Sequence, residues 1–167
     1  MMKKYSQTLI HKVAQLFIIR SSGHLFDSQR EYPKWELSNN EIKKLLNIGV
    51  GGVIFYGGTS CELYSRCKAF EQYSANSLLF CADAEEGIGQ RFFGGSQLVP
   101  PMAIGQLYKE TPEKAIKYAE LYGKCTGEEA LKCGLNWVLS PVCDVNTNPS
   151  NPVINMRAWG EEAQTVS

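Results

Sequence analysis

The chain has 167 residues, 44% of them hydrophobic and 20% charged, the composition of a globular domain with its own core. Its 17 basic and 17 acidic residues cancel to a formal charge of zero, which argues against nucleic acid or an anionic membrane as partner. The longest apolar runs, "LFII" and "GGVIF", are far too short to span a bilayer.

Met1 to Arg20 opens with two lysines, but Gln7, His11, Lys12 and Gln15 interrupt its apolar positions. That is unlike the core of a signal peptide. "QLFIIR" is the first short apolar run and reads as a strand. "ELSNNEIKKLLNIG" then reads as a helix: Ser38 is the N-cap, Glu41 closes a capping box and Leu37 with Ile42 forms a hydrophobic staple. Gly49 ends it. "VGGVIFYGG" is the second strand, and its glycines Gly49, Gly51 and Gly52 come before it. A dinucleotide fingerprint follows its strand, so these glycines read as a tight αβ turn.

"TSCELYSRCKAFEQYSAN" is a second helix, with Thr59 and Glu62 as a second capping box. "SLLFCAD" is the third strand, and "GGSQLVPPMAIG" reads as a loop. A long helix opens at Thr111, with Pro112 in its first turn, and stops at Gly134. "LNWVLSPVCDV" is the fourth strand. The order is β-α-β-α-β-α-β. Apolar runs without strict alternation are typical of parallel strands buried on both faces. An open doubly wound sheet and part of a (β/α)8 barrel both fit, and both gather functional residues at the carboxyl ends of the strands.

The six cysteines form no CxxC pair and have no zinc-type spacing. Most sit among apolar neighbours, so they are expected to be reduced and structural, in a cytoplasmic protein. No metal and no cofactor is expected.

Two polar clusters fall at strand ends. In "LLFCADAEEGIGQRF", Asp83, Glu85 and Glu86 follow the third strand, with Arg91 close behind. An ordinary surface ion pair is one reading. The other is a polar clamp, in which carboxylates accept hydrogen bonds from sugar hydroxyls and an arginine donates a planar fork. In "SPVCDVNTNPSNPVINMRAWGEE", Asp144, Asn146, Asn148 and Asn151 alternate with prolines, and Arg157 and Trp159 close the stretch. Turn chemistry alone accounts for such asparagines, yet a rigid loop carrying Arg and Trp suits a sugar site, with the aromatic ring stacked on a sugar face. His11 and His24 lie at no predicted strand end near these clusters, so no catalytic histidine is assigned.

With both clusters in view, the chain resembles the N-terminal catalytic domain of glycoside hydrolase family 3, and most of all its bacterial β-N-acetylhexosaminidase branch. The family's "D-x-E-G-G-x-x-Q-R-F" signature stands as Asp83 to Phe92, with Glu86 in place of the first glycine. Its "P-M-A-L-G" loop stands as Pro101 to Gly105. Its "G-I-N-W-x-x-A-P-V-x-D-V-N…N-P-V-I-x-x-R-S-F-G-E" stretch stands as Gly134 to Glu161, with Ser140, Ala158 and Trp159 as substitutions. The similarity runs from about Lys12 to the last residue.

The resemblance implies a retaining (β/α)8-barrel glycosidase cleaving terminal β-linked N-acetylglucosamine, in carbohydrate metabolism and cell-wall muropeptide recycling. It implies substrate binding by Asp83, Arg91 and Arg157, with Glu85 supporting its loop and Asp144 either in the site or bracing the loop that presents Arg157. The family's Lys-His motif, nucleophile and acid/base loop have no counterpart in these residues, so no catalytic residue is assigned. A TIM barrel needs about 250 residues, so residues 1–167 read as the N-terminal part of a barrel, apparently truncated: four parallel strands, inactive alone. A β-glucosidase of the same family, and a non-catalytic sugar-binding or assembly module, are the alternatives. Self-association through open sheet edges is the expected protein contact.

Overall fold

The computed structural model describes residues 8–167; the part of the Met1–Arg20 reading that falls on Met1–Gln7 lies outside them. Four strands form one parallel sheet in chain order: β1 (Ile18–Ser22), β2 (Gly52–Tyr56), β3 (Leu79–Ala82) and β4 (Trp137–Val138). The helices are α1 (Leu9–Ala14), α2 (Asn39–Ile48), α3 (Ser60–Tyr73), α4 (Pro101–Glu110), α5 (Pro112–Lys132) and α6 (Ala163–Val166).

Local chemistry sets several boundaries. The Ser38 and Thr59 hydroxyls accept from the backbone N–H of Glu41 and Glu62, and each glutamate reaches back to its cap's N–H. A cap of this kind stabilises a helix by about 1 kcal/mol. Gly49 closes α2 at φ 100°, a left-handed conformation that Cβ-bearing residues avoid.

Several elements depart from the sequence reading. Of "LNWVLSPVCDV" only Trp137–Val138 is strand, and Ala163–Val166 adds a short helix. Leu9–Ala14 is a helix before β1, capped by Thr8. "PPMAIG" is not a loop: Pro101 opens α4 at a position where a missing N–H costs nothing. Thr111 then separates α4 from α5.

Register fixes the two faces of the sheet. Arg20 pairs with Ile54, Ile54 with Cys81, and Cys81 with Trp137, so these four share the inner face. Val53 and Phe80 pair on the opposite face, which the helices cover. There Phe55 stands with its ring centroid 6.0 Å from Phe70 and 5.9 Å from Phe80, and all three are buried. The sequence reading of four strands as half of a barrel expects Phe17, Ile54, Phe80 and Trp137 to lack an opposite wall and to be partly wet. Phe17 and Trp137 are exposed and Ile54 is half-buried, but Phe80 faces the helices and is 1% exposed. Strand alternation puts the odd positions of β3, not Phe80, on the inner face.

Candidate functional site

Alternation along β3 carries Leu79, Cys81 and then Asp83 to the inner side of the sheet, at its carboxyl end. The chain then turns through Gly87 into a 3-10 turn, Ile88–Gln90. The Gln90 side chain stitches that turn back. Its Oε1 accepts from the N–H of Glu85 at 2.8 Å and of Glu86 at 3.1 Å. This turn returns Arg91 to Asp83, and Nη2 donates to Oδ2 at 3.4 Å.

Each carboxylate at this strand end has a balancing donor. Asp83 has Arg91. Glu86 accepts from the Gln97 amide at 3.1 Å. Glu85, 6% exposed, receives Arg157 as a two-pronged fork: Nε donates to Oε2 at 2.7 Å and Nη2 to Oε1 at 2.8 Å. This pairing holds the Arg157 guanidinium above its ordinary pKa. The Arg157 Nη1 also donates to the Val153 carbonyl at 2.8 Å.

Three of the five Arg157 N–H donors are thus spent, and the rest stay free of these bonds. Arg91 is used less. Its Nε is buried and has no acceptor among the described residues. Asp83, Arg91, Glu85 and Arg157 stand together as an array of hydrogen-bond donors and acceptors, with both carboxylates already neutralised.

Glu85 supports Arg157 directly, through a partner 72 residues away, and not merely its own loop. The Tyr122 hydroxyl, on α5, lies 2.9 Å from the Glu85 carbonyl and 2.9 Å from that of Val99, which anchors the loop to the helical layer. Asp144 is exposed and makes no side-chain hydrogen bond or ion pair among the described residues. Its charge acts on Arg157 through space, helping Glu85 and Asp83 to hold that guanidinium's pKa up. The loop is tied through buried Asn146, whose N–H donates to the Gly160 carbonyl at 2.9 Å.

Trp159 is half-buried. It packs edge-on against Tyr122, with centroids 5.3 Å apart, in a small core with Ile104 and Ala115. α4 provides the floor of this core, and a Cβ at Gly105 would overlap the Trp159 carbonyl oxygen. A cavity of about 620 Å³ lies beside it, lined by Ile104, Ala115, Val138 and Trp159 and by none of the four clamp residues.

His24 does follow a strand end, because β1 runs on to Ser22. Its Nδ1 lies 3.1 Å from Glu62 Oε2, a carboxylate already engaged in the α3 capping box. Of the six cysteines, all free, Cys61, Cys125 and Cys143 are exposed, so only half are core residues.

Residues 8–167 match the model of the glycosyl hydrolase family 3 N terminal domain, and the chain belongs to that family. It is 30% identical over 135 residues to a beta-hexosaminidase of Thiobacillus denitrificans, covering 78% of this chain and 37% of that protein. A beta-hexosaminidase of Bordetella pertussis is 31% identical over 136 residues, with 78% and 38% covered. Among solved structures, NagZ from Neisseria gonorrhoeae in complex with N-trifluoroacetyl-D-glucosamine matches with a TM-score of 0.71 at 22% identity, over 89% of this chain and 43% of that one. A family 3 beta-N-acetylglucosaminidase from Paenibacillus sp. matches with a TM-score of 0.69 at 27% identity, over 95% and 28%.

The chain therefore spans about two fifths of the length of the curated relatives it matches. Its four parallel strands, with helices on one face, are the first half of a (β/α)8 barrel.

Proposed function

We propose that residues 1–167 are the N-terminal part of the catalytic barrel of a retaining β-N-acetylglucosaminidase, and that they supply its sugar-binding side chains. The reading rests on one observation: Asp83–Arg91 and Glu85–Arg157 meet at the carboxyl end of β3, with the Arg91 Nε left without an acceptor. Asp83 accepts from sugar hydroxyls, and the unspent donors of Arg91 and Arg157 reach the ring's oxygen atoms. Glu85 keeps Arg157 in place.

Retention needs both a nucleophile and an acid/base, and no Lys-His motif stands within these residues. The 167-residue chain is therefore a binder of the sugar without turnover. The relatives named beta-hexosaminidase favour N-acetylglucosamine over glucose, in carbohydrate metabolism such as the recycling of cell-wall muropeptides. Six free cysteines suit a reducing cytoplasm.

Titration of the chain with N-acetylglucosamine and with glucose, followed by calorimetry or NMR, tests the reading. N-acetylglucosamine is expected to bind more tightly, and Asp83→Ala to weaken it about tenfold or more, since a charged hydrogen bond is lost. Equal affinity for glucose would point to a β-glucosidase. No binding of either sugar would overturn the clamp, and so would turnover of a chromogenic N-acetylglucosaminide that Asp83→Ala abolishes overturn the missing nucleophile.

A further inference from the structure

We propose that the groove between α2 and α3 binds a small phosphorylated sugar, with Arg66 and Lys43 on its phosphate and Asn39 on a hydroxyl. The site is separate from the clamp and does not depend on it.

The groove lies on the helical side of the sheet. Ser21 pairs in register with Phe55 on that side, and Arg66 reaches Ser21 from α3. The groove holds about 330 Å³, with Leu25, Asn39, Lys43, Arg66, Phe70 and Tyr73 among its lining and none of the four clamp residues. Small-ligand pockets run from about 300 to 1,000 Å³.

Arg66 carries the argument. It is 4% exposed, and its guanidinium carbon lies 4.8 Å from the centre of the Phe70 ring. Burial pulls its pKa down to about 10, so it stays charged at neutral pH. Buried charges are ordinarily paired, yet no carboxylate forms an ion pair with Arg66 among the described residues. Asp27, Glu36 and Glu62 act on it only through space, and each is engaged elsewhere. Asp27 faces Arg30 at 3.7 Å and takes the Asn39 N–H at 2.9 Å. Glu36 takes the Tyr32 N–H at 3.2 Å, and Glu62 closes the α3 capping box. Arg66 instead donates to neutral oxygens: Nε and Nη2 to the Ser21 hydroxyl at 3.2 and 3.0 Å, and Nη1 to the Leu25 carbonyl at 3.4 Å. One N–H on each terminal nitrogen is left over.

The rest of the groove complements this cation. Asn39 Nδ2 donates to the Leu25 carbonyl at 3.0 Å, the same oxygen that Arg66 Nη1 reaches, so the two side chains meet there. The Asn39 Oδ1 is buried and has no donor among the described residues. Lys43, one turn further along α2, holds its ammonium 4.5 Å from the centre of the Tyr73 ring, and it too has no ion pair among the described residues.

These groups select the ligand. A phosphate ester carries about −1.5 to −2 charges at neutral pH, which suits two cations, whereas a carboxylate would balance one. The guanidinium edge matches phosphate oxygens. The Asn39 acceptor calls for a hydroxyl, and Leu25, Phe70 and Tyr73 give the carbon face of a sugar an apolar wall.

The test titrates the 167-residue chain with glucose 6-phosphate, glucose and inorganic phosphate, by calorimetry and thermal unfolding. Glucose 6-phosphate is expected to bind at least about tenfold more tightly than either of the others, to raise Tm, and to weaken as salt is added. Lys43→Gln and Ala69→Leu, which removes a charge and fills the groove respectively, each weaken glucose 6-phosphate about tenfold and leave N-acetylglucosamine binding as it was. Lys43 is exposed and Ala69 half-buried, so both changes spare the core. Asp83→Ala leaves glucose 6-phosphate binding unchanged. Glucose 6-phosphate no tighter than glucose or inorganic phosphate, an affinity indifferent to both groove variants, or one lost with Asp83→Ala overturns the site. Loss of N-acetylglucosamine binding alone overturns the clamp and not the groove.

Discussion

Glu85 and Arg157 lie 72 residues apart in the chain and meet through two hydrogen bonds of 2.7 and 2.8 Å. The carboxylate is almost wholly buried and the guanidinium is partly in water. Removing Arg157 would strand the Glu85 charge. Arg157→Ala is expected to destabilise the fold by about 1–3 kcal/mol, and Glu85→Gln by less, since the amide keeps one acceptor. In a urea-denaturation cycle the double variant should lose less than the sum of the two. Strict additivity would mean that the pair is not coupled in solution.

Tyr122 fastens the same loop from the other side. Its hydroxyl meets two backbone carbonyls, and burial pushes its pKa up to about 12. Tyr122→Phe removes the single O–H donor that the two carbonyls share and should cost about 1–2 kcal/mol. If the Glu85 loop depends on this anchor, sugar binding weakens along with stability. A stable Phe variant with full sugar affinity would show that the loop is held without it.

Thiol chemistry should divide the cysteines into two sets. Burial pushes Cys67 up to about 12, burial and the nearby Asp83 push Cys81 up to about 11, and Cys133 is raised as well. At pH 8 the thiolate of these three is scarce and shielded. Brief alkylation followed by mass spectrometry should modify Cys61, Cys125 and Cys143 alone. The buried thiols also set a sign for stability. They stay protonated in the fold while the unfolded chain ionises near 9.0, so stability falls as pH climbs from about 9 towards 12. A rise in stability over that window would contradict their burial.

The open sheet makes a prediction about assembly. β1 and β4 are edges, and Phe17 and Trp137 are exposed beside them. Unpaired edges with apolar neighbours recruit partners or aggregate. The 167-residue chain is expected to self-associate in sedimentation experiments at micromolar concentration. A monodisperse monomer with one cooperative unfolding transition would show that the half-sheet is sufficient by itself.

What the sequence disclosed was local. Ser38 with Glu41, and Thr59 with Glu62, are three residues apart, and their capping boxes are both present. Asp83 and Arg91 are near in sequence as well as in space. The Glu85–Arg157 fork has no such signal, because nothing in either segment names the other. Helix α4 was hidden by its composition: two prolines and a glycine in six residues suggest a loop, unless the second proline falls at the first helical position, as Pro101 does. Missing α4 also hid the packing of Trp159, since Ile104 and Gly105 of α4 lie against it. Phe80 was misplaced for another reason. A strand buried on both faces gives no apolar alternation from which to read its phase.

Gly105 carries the last consequence. On helix propensity alone, each glycine in α4 and α5 invites replacement by alanine, worth about 0.5–1 kcal/mol. Gly123 and Gly127 have open space where a Cβ would go, and there the gain should be realised. At Gly105 the same change would drive a methyl group into the carbonyl of Trp159, two residues beyond Arg157. A thermostability screen blind to this would treat the three positions alike and could shift the Glu85–Arg157 pair from a helix that contributes neither residue. Residue 105 is in effect a distant address for Arg157, written as the absence of a side chain.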